Sequence, residues 1–238
     1  MPYYSYGFDW TYIVLVLPCI ILSLWASSSV KNTFARYSKA HSIRRITGAQ
    51  AAQRVLSHNG VSGVRIERVS GNLTDHYDPR TNVIRLSDSV YDSTSVAAIG
   101  VAAHEAGHAV QYARHYAPIK LRAAIIPITN IGSKLAMPLI LLGVVLSFLG
   151  SFSTTLIDLG IAAFALSLVF QLLTLPVEFN ASRRAMQAID DAGILTGEEQ
   201  RGARKTLTAA AMTYVAATAV ALAQLLRLLV LFGRRRDD

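Results

Sequence analysis

The chain has 238 residues, of which 52% are hydrophobic and only 16% are charged. A soluble domain usually has about 25% charged residues, so this composition favours a membrane protein and excludes a disordered chain. The single cysteine, Cys19, excludes a disulfide framework and a multi-cysteine zinc or iron–sulfur site. The net charge of +8 fits nucleic-acid binding, an anionic membrane surface or the positive-inside bias of membrane proteins, and its distribution along the chain decides between them.

The first apolar segment covers residues 12–26 and contains no charged residue. Trp10 and Trp25 extend it as interfacial aromatic residues. A signal peptide carries Lys or Arg before its apolar stretch, whereas residues 1–11 carry only Asp9 and the basic residues follow the segment. The pattern therefore predicts a retained anchor with its N-terminus outside the cell and residue 27 onwards in the cytoplasm.

The segment after the anchor is predicted to contain a short helix over residues 47–58. Thr47 and Gln50 have the spacing of a capping box, and Asn59-Gly60 supplies a left-handed stop.

Two strands and a long helix are predicted next. Residues 64–70 and 83–86 have strand character and are separated by a turn at 78–82. The second strand either lies at a sheet edge, where an extended substrate can pair with it, or is an interior strand. Residues 95–115 lack proline and predict a long helix.

Two further apolar blocks, 135–150 and 159–175, are joined by a short segment without Lys or Arg. This predicts a helical hairpin that crosses the membrane and returns. Residues 27–122 hold 13 Lys/Arg against 6 Asp/Glu, and residues 176–205 hold five more basic residues. The positive charge therefore indicates a cytoplasmic side, and nucleic-acid binding becomes the poorer explanation.

A fourth apolar stretch, residues 207–232, is interrupted by Gln224 and Arg227 and is followed by Arg234–Arg236. A complete span would put this basic tail outside, against the positive-inside trend. The alternative is a long helix that first packs on the rest of the chain, and both remain open. The segments together predict a mainly α-helical membrane protein with a small β-sheet.

Residues 104–108 of the long predicted helix form an H-E-x-x-H motif, His-Glu-Ala-Gly-His. His104 and His108 share one helical face about one turn apart, so both imidazoles can reach one Zn²⁺ at about 2.0–2.1 Å. Glu105 lies slightly aside and is placed to act as general base on a zinc-bound water. The uncharged flanks predict a helix buried all round, where these groups are costly unless paired or metal-bound. A buried polar pair satisfied by its neighbours is the alternative.

A catalytic zinc also needs a third protein ligand and an open fourth position. His115 lies about 10 Å along the helix from His108, too far to share a metal. Asp158 falls on the other side of the predicted hairpin, and the acids at 190–199 lie in a polar stretch. Glu178 leaves the third apolar block on the side of the histidines and is the best candidate.

The segments VAAHEAGHAVQ, TLPVEFNASRRA and LTDHYDPRTNVIRLS resemble the YugP-type neutral zinc metallopeptidases of bacterial membranes, and the resemblance spans nearly the whole chain. The layout is more distantly similar to HtpX-like and CAAX-processing gluzincin proteases, which also place membrane helices between H-E-x-x-H and a glutamate ligand. The resemblance implies a zincin-like catalytic part, interrupted by a transmembrane hairpin. It also implies that His104, His108 and Glu178 bind one zinc per chain and that Glu105 is the base.

One position departs from the HtpX-like pattern. Those proteins carry an acidic residue four places after the glutamate ligand, whereas this chain has Ser182 there. The hydrogen bond that the acid makes next to the metal must therefore be made differently.

Three more residues are candidates for transition-state or supporting roles. His76 is a possible donor to the tetrahedral intermediate, with an exposed loop histidine as the alternative. Arg184 is placed to steady Glu178 or the oxyanion, although paired arginines at a membrane edge also act as a topology signal. Tyr214 is a possible oxyanion donor, or a packing residue.

The sequence thus predicts a multi-pass cell-membrane zinc endopeptidase that cleaves membrane proteins or peptides at the cytoplasmic face, with the lipid bilayer and its substrate as partners. The alternatives are a specialised CAAX-like processing peptidase and a non-catalytic, zinc-stabilised scaffold or regulator. The expected organisation is an anchor (1–26), a catalytic part (27–122 and 176–206), a transmembrane hairpin (123–175) and a C-terminal hydrophobic helix with a basic tail (207–238).

Overall fold

The computed structural model describes residues 9–233, which are mainly helical with one small sheet, as predicted. The first eight residues and the basic tail at 234–236 lie outside the described residues. A π-helical turn, Tyr12–Val16, leads into the first helix. The elements are α1 (Leu17–Tyr37), α2 (Gly48–His58), β1 (Arg65–Val69), β2 (His76–Asp78), β3 (Val83–Ser87), α3 (Val96–Ala113), α4 (Ala117–Val145), α5 (Ser151–Asp191) and α6 (Glu198–Gly233).

The described chain forms two compact units. The first, here called the apolar unit, contains the residues up to 25, residues 122–172 and the residues from 214 onwards. The second, here called the sheet unit, contains residues 26–121 and 173–213. Helices α1, α4, α5 and α6 each contribute residues to both units.

Within residues 9–233, four helices are long and apolar enough to cross a membrane: Tyr12–Tyr37, Ala117–Val145, Ser151–Asp191 and Glu198–Gly233. Most side chains in their apolar windows are not buried against protein, and large side chains such as Leu141, Phe148 and Leu159 are exposed. Apolar surface of this extent is unfavourable in water, and a bilayer removes that cost.

Within the apolar unit, α4 and α5 pack antiparallel through small residues. A Cβ on Gly143 would lie 2.8 Å from the Ser153 carbonyl oxygen, and one on Gly160 would lie 2.8 Å from that of Ala136. Helices in lipid associate mainly through van der Waals contact, which close backbone approach at glycine increases.

An ion pair also lies in the apolar unit, between α6 and the start of the chain. Arg227 Nε donates to Asp9 Oδ2 at 2.9 Å, and the guanidinium lies over the Tyr12 ring at 5.4 Å from its centroid. A charge within an apolar helix is costly unless it is paired. The pair therefore explains how Arg227 is tolerated and puts the last turns of α6 beside the first turn of the N-terminal helix.

The sheet unit begins with α2, whose predicted capping box is confirmed. Thr47 Oγ1 accepts from the Gln50 backbone N–H, and the Gln50 side chain accepts from the Thr47 N–H. The predicted left-handed stop is also present, since Gly60 has φ +66°.

The sheet has the strand order β1-β3-β2, with β1 parallel and β2 antiparallel to β3. β3 is therefore the central strand, and Val83, Ile84 and Leu86 are fully buried. Of the two interpretations of this strand, the edge strand is wrong and the interior strand is correct. The sequence prediction missed β2, which is only three residues long.

The turn that returns β2 onto β3 is held by Asp78. Its carboxylate accepts from Thr81 Oγ1 at 2.7 Å, from the Arg80 N–H and from Arg85 Nη1. These hydrogen bonds, the one from Thr81 first, lower the pKa of Asp78 to about 2. The turn thus stays charged and intact at neutral pH.

Helix α3 is the centre of the sheet unit. It begins at Ser95, whose side chain accepts from the Ala98 N–H, and its residues are buried on nearly every side, as the uncharged flanks predicted. The core around α3 is formed by α2, β3, the end of α5 and the start of α6. Many of the buried α3 residues are alanine or glycine, so neighbouring helices approach its backbone closely.

The α4–α5 contact can be tested with Gly160→Ala. The new methyl would lie too close to the Ala136 carbonyl oxygen and the Ile140 side chain, so we expect a loss of about 1–3 kcal/mol of stability from overpacking. The measurement is thermal unfolding in detergent micelles. Gly233→Ala is the matched control, because no described atom lies within 4 Å of its Cβ position. Equal effects of the two substitutions would contradict close packing at Gly160.

Candidate metal centre

Helix α3 carries two histidines and a glutamate close together: Glu105 and His108 are buried, and His104 is partly buried. His104 and His108 lie one turn apart, and their rings meet edge to face with centroids 4.7 Å apart. His108 and Glu105 are each 9% exposed. The helical repeat alone directs the two imidazoles to one side of α3.

Glu178 of α5 completes the cluster. Its Oε2 lies 3.2 Å from His104 Nε2 and 3.6 Å from His108 Nε2, and it is only 3% exposed. The three ligand atoms lie within 4.8 Å of one another. Bonds of 2.0–2.1 Å at tetrahedral angles put zinc ligands about 3.3 Å apart, so the two measured nitrogen–oxygen separations fit this metal.

The Nδ1 atom of His108, here called its outer nitrogen because Nε2 is the one that faces Glu178, is held by Gln111. Gln111 is fully buried. Gln111 Nε2 donates to the Val177 carbonyl at 2.8 Å and to Asn180 Oδ1 at 3.0 Å, so its Oε1 faces His108 Nδ1 at 3.0 Å. An amide oxygen only accepts, and Nδ1 must therefore carry the proton. In the neutral ring this leaves the Nε2 lone pair directed at a carboxylate oxygen, an arrangement that a cation between them stabilises.

Burial lowers the pKa of His108. The hydrogen bond with Glu178 and the negative charge of Glu105 raise this pKa by more than burial lowers it, so it lies above its usual value. A proton on His108 Nε2 would lie between this nitrogen and Glu178 Oε2, where a metal cation could bind instead.

The outer nitrogen of His104 lies 3.1 Å from Ser182 Oγ. Ser182 is the residue at which the chain departs from the HtpX-like pattern, and its hydroxyl makes a contact next to the cluster of His104, His108 and Glu178. Ser182 lies one turn after Glu178 on α5, so one helix supplies both the carboxylate of the cluster and the support of a histidine.

The two helices meet at Gly107, between the histidines. A Cβ at this position would lie 2.6 Å from the Ala181 carbonyl oxygen, closer than real Cβ contacts allow. The backbones of α3 and α5 therefore approach each other here because Gly107 has no side chain. This contact brings together residues 74 positions apart in the chain.

The sequence candidates are distributed unevenly around the cluster. Glu105 is buried beside it, and its carboxylate has no hydrogen bond within residues 9–233. Arg184 Nε donates to Asn180 Oδ1 at 2.8 Å, so it reaches His108 only through Asn180 and Gln111. His76 is exposed at the start of β2, where its Nδ1 lies 2.8 Å from the Thr74 carbonyl oxygen. Tyr214 lies on α6 in the apolar unit.

Sequence reasoning missed Gln111 and Asn180. The available signal was the position of Gln111, three residues after His108 in a helix that is otherwise apolar at that end. A buried amide needs hydrogen-bond partners, and a histidine one turn away is the nearest group that requires one.

Comparison with known proteins agrees with the resemblance. Residues 12–233 match the family described as "Putative neutral zinc metallopeptidase". The chain is 47% identical over 227 residues to the "Putative membrane protease YugP" of Bacillus subtilis (strain 168), which covers 95% of this chain and 99% of that protein. No solved structure matches the chain.

The role of the helix contact can be tested with Gly107→Ala. We expect α5 to be displaced, with loss of metal binding, because the methyl would collide with the Ala181 backbone. The measurement is the zinc content of the purified protein. Gly100→Ala on the same helix is the control, since its Cβ would meet Ala203 at an ordinary 3.5 Å. Full zinc content in Gly107→Ala would show that the contact does not position the ligands.

The support of His104 can be tested with Ser182→Ala. Removing a partner of a metal-ligating histidine typically weakens metal affinity about 10–100-fold, and we expect a loss in that range. Zinc affinity is measured by competition with a chelator. Ser57→Ala, an exposed serine on α2, is the control, and equal affinities of the two variants would contradict the role of Ser182.

Proposed function

Because the chain belongs to the neutral zinc metallopeptidase family, we propose that it is a membrane-embedded zinc endopeptidase with His104, His108 and Glu178 as ligands of one zinc ion per chain. The convergence of two imidazole nitrogens and one buried carboxylate oxygen carries this proposal. A glutamate as third ligand makes the enzyme gluzincin-like.

Zn²⁺ supplies a Lewis acid that polarises the scissile carbonyl and activates water near neutral pH. The residues of the chain do the rest of the work. Glu105, buried beside the ligands without a partner among the described residues, accepts a proton from the attacking water and passes it to the leaving amine. Gln111 and Ser182 hold the two rings so that both Nε2 atoms face Glu178.

The three-ligand cluster also favours catalysis over a scaffold role. Structural zinc sites close all four positions with protein, whereas the group found in the described part of the chain has three members. A fourth position is then available to water and substrate.

The proposed boundaries of the parts of the chain are those predicted from the sequence. The catalytic part, residues 27–122 and 176–206, is zincin-like and is interrupted by a membrane hairpin at 123–175. The antiparallel, glycine-mediated packing of α4 on α5 supports the hairpin. Residues 1–26 form the anchor, and residues 207–238 form the C-terminal helix and tail.

We place the enzyme in the cell membrane as a multi-pass protein with its active site on the cytoplasmic side. The four apolar helices support several spans. The Asp9–Arg227 pair supports a full crossing by α6, because it puts the last turns of α6 at the start of the anchor helix. The 13 basic residues in 27–122 support the cytoplasmic side.

The proposed partners are the lipid bilayer and a peptide or membrane-protein substrate, without nucleic acid. Glu178 lies on α5, a helix that also contains a long apolar segment, and this suits a substrate presented near the membrane. His76 and Tyr214 remain proposals for transition-state contacts, and Arg184 for support of His108 through Asn180.

The mechanism is tested with Glu105→Gln. The substitution keeps the size of the side chain but removes the base, so we expect proteolysis to fall about 10²–10⁴-fold while zinc content persists. The measurement pairs metal analysis with cleavage of an unfolded membrane protein in detergent. Proteolysis at the wild-type rate would refute the role of Glu105.

Glu178→Ala provides the contrast to that variant. It removes a ligand rather than the base, so zinc and proteolysis are both expected to be lost. Unchanged zinc affinity would move the third ligand elsewhere.

A further inference from the structure

A groove of about 510 Å³ lies between α5 and α6 in the sheet unit. Its apolar lining comes from Phe179, Met186, Leu207 and Ala211, and of these only Phe179 is exposed. These four side chains, here called the apolar slot, are one part of the lining, and the other six lining residues are polar or charged.

The groove lies where α5 and α6 each change between an apolar and a polar sequence. The apolar block of α5 ends at residue 175, one turn before Phe179, and the apolar stretch of α6 starts at Leu207. In a helix that crosses a bilayer, such a change marks the interface at which lipid headgroups lie.

The charges at the groove are mainly positive. Arg183 and Arg204 line it and are exposed, and neither guanidinium has an ion-pair partner in residues 9–233. Asp190 is the acid among the lining residues, and its Oδ1 already accepts from Gln200 Nε2 at 2.9 Å. Guanidinium groups bind phosphate in bidentate fashion, so two of them beside an apolar slot suit a phosphate attached to a hydrocarbon chain.

We propose that this groove binds an anionic phospholipid, with Arg183 and Arg204 on the headgroup phosphate and the exposed Phe179 side chain along an acyl chain. Basic sites between helices at the membrane surface recognise lipids in this way. The proposal rests on the proposed insertion into the membrane and is independent of the peptidase chemistry.

The lipid site shares one residue with the metal centre. Ser182 lines the groove, and its hydroxyl contacts the outer nitrogen of His104. The lipid therefore lies on the Nδ1 side of His104, whereas the ligand atoms converge on the Nε2 side. The groove is a separate site behind the metal cluster, and a bound lipid stabilises the segment of α5 that carries Glu178 and Ser182.

The test is a lipid titration of the full chain in non-ionic detergent, with phosphatidylglycerol or phosphatidylcholine added in mixed micelles and bound lipid counted by native mass spectrometry. We expect the wild type to bind phosphatidylglycerol more tightly than phosphatidylcholine. In the double variant R183Q/R204Q, we expect the affinity for phosphatidylglycerol to fall about tenfold or more, since each arginine near a membrane surface contributes about fivefold.

The matched control is R201Q/K205Q, which also removes two positive charges, both from α6 and both outside the groove, and should bind like the wild type. Thr208→Trp fills the groove without changing its charge and should also weaken binding. Equal losses in the two double variants, equal binding of the two lipids, or displacement of the lipid by inorganic phosphate alone would each overturn the proposal. Zinc content and turnover are measured separately, so an inactive protein that still binds phosphatidylglycerol would refute the peptidase and not the lipid site.

Discussion

The close approach of α3 and α5 at Gly107 is the constraint on which the candidate metal centre depends. Because Gly107 has no side chain, the Ala181 backbone lies directly against α3. The neighbours of Ala181 on α5 therefore lie next to the neighbours of Gly107 on α3. Glu178 and Ser182 thereby meet His104 and His108. The absence of a side chain at Gly107 thus sets the position of the Glu178 carboxylate, which comes from a distant part of the chain.

A partly buried chain of hydrogen bonds reinforces this contact. Arg184 donates to Asn180, Asn180 accepts from Gln111, and Gln111 accepts from His108, so α5 and α3 are joined by polar side chains as well as by packing. Buried polar groups stabilise a site when each has its partner and destabilise it when one is missing. The Gln111 amide also binds the Val177 carbonyl, next to Glu178, and thus connects His108 to the segment that carries Glu178.

Much of the local structure followed from the sequence. The capping box at Thr47, the stop at Gly60 and the burial of α3 are visible as patterns of neighbouring residues, and the structure confirms them. The three-residue strand β2 was missed, because its pairing depends on a turn held by Asp78 rather than on a hydrophobic pattern. That pairing also makes β3 an interior strand, a point that the sequence left open.

By itself, the sequence determined the membrane-like composition, the helix that carries H-E-x-x-H and the identity of Glu178 as the best third candidate, since helical period and charge distribution are local properties. Only the tertiary structure decided which groups surround the histidines. Ser182 contacts His104, and Asn180 contacts Gln111, the partner of His108, from more than 65 positions away; both contacts exist because two helix backbones touch at Gly107. The same division applies to the +8 charge. Its distribution along the sequence indicated topology, whereas the fold decided that Arg183 and Arg204 line one groove beside an apolar slot.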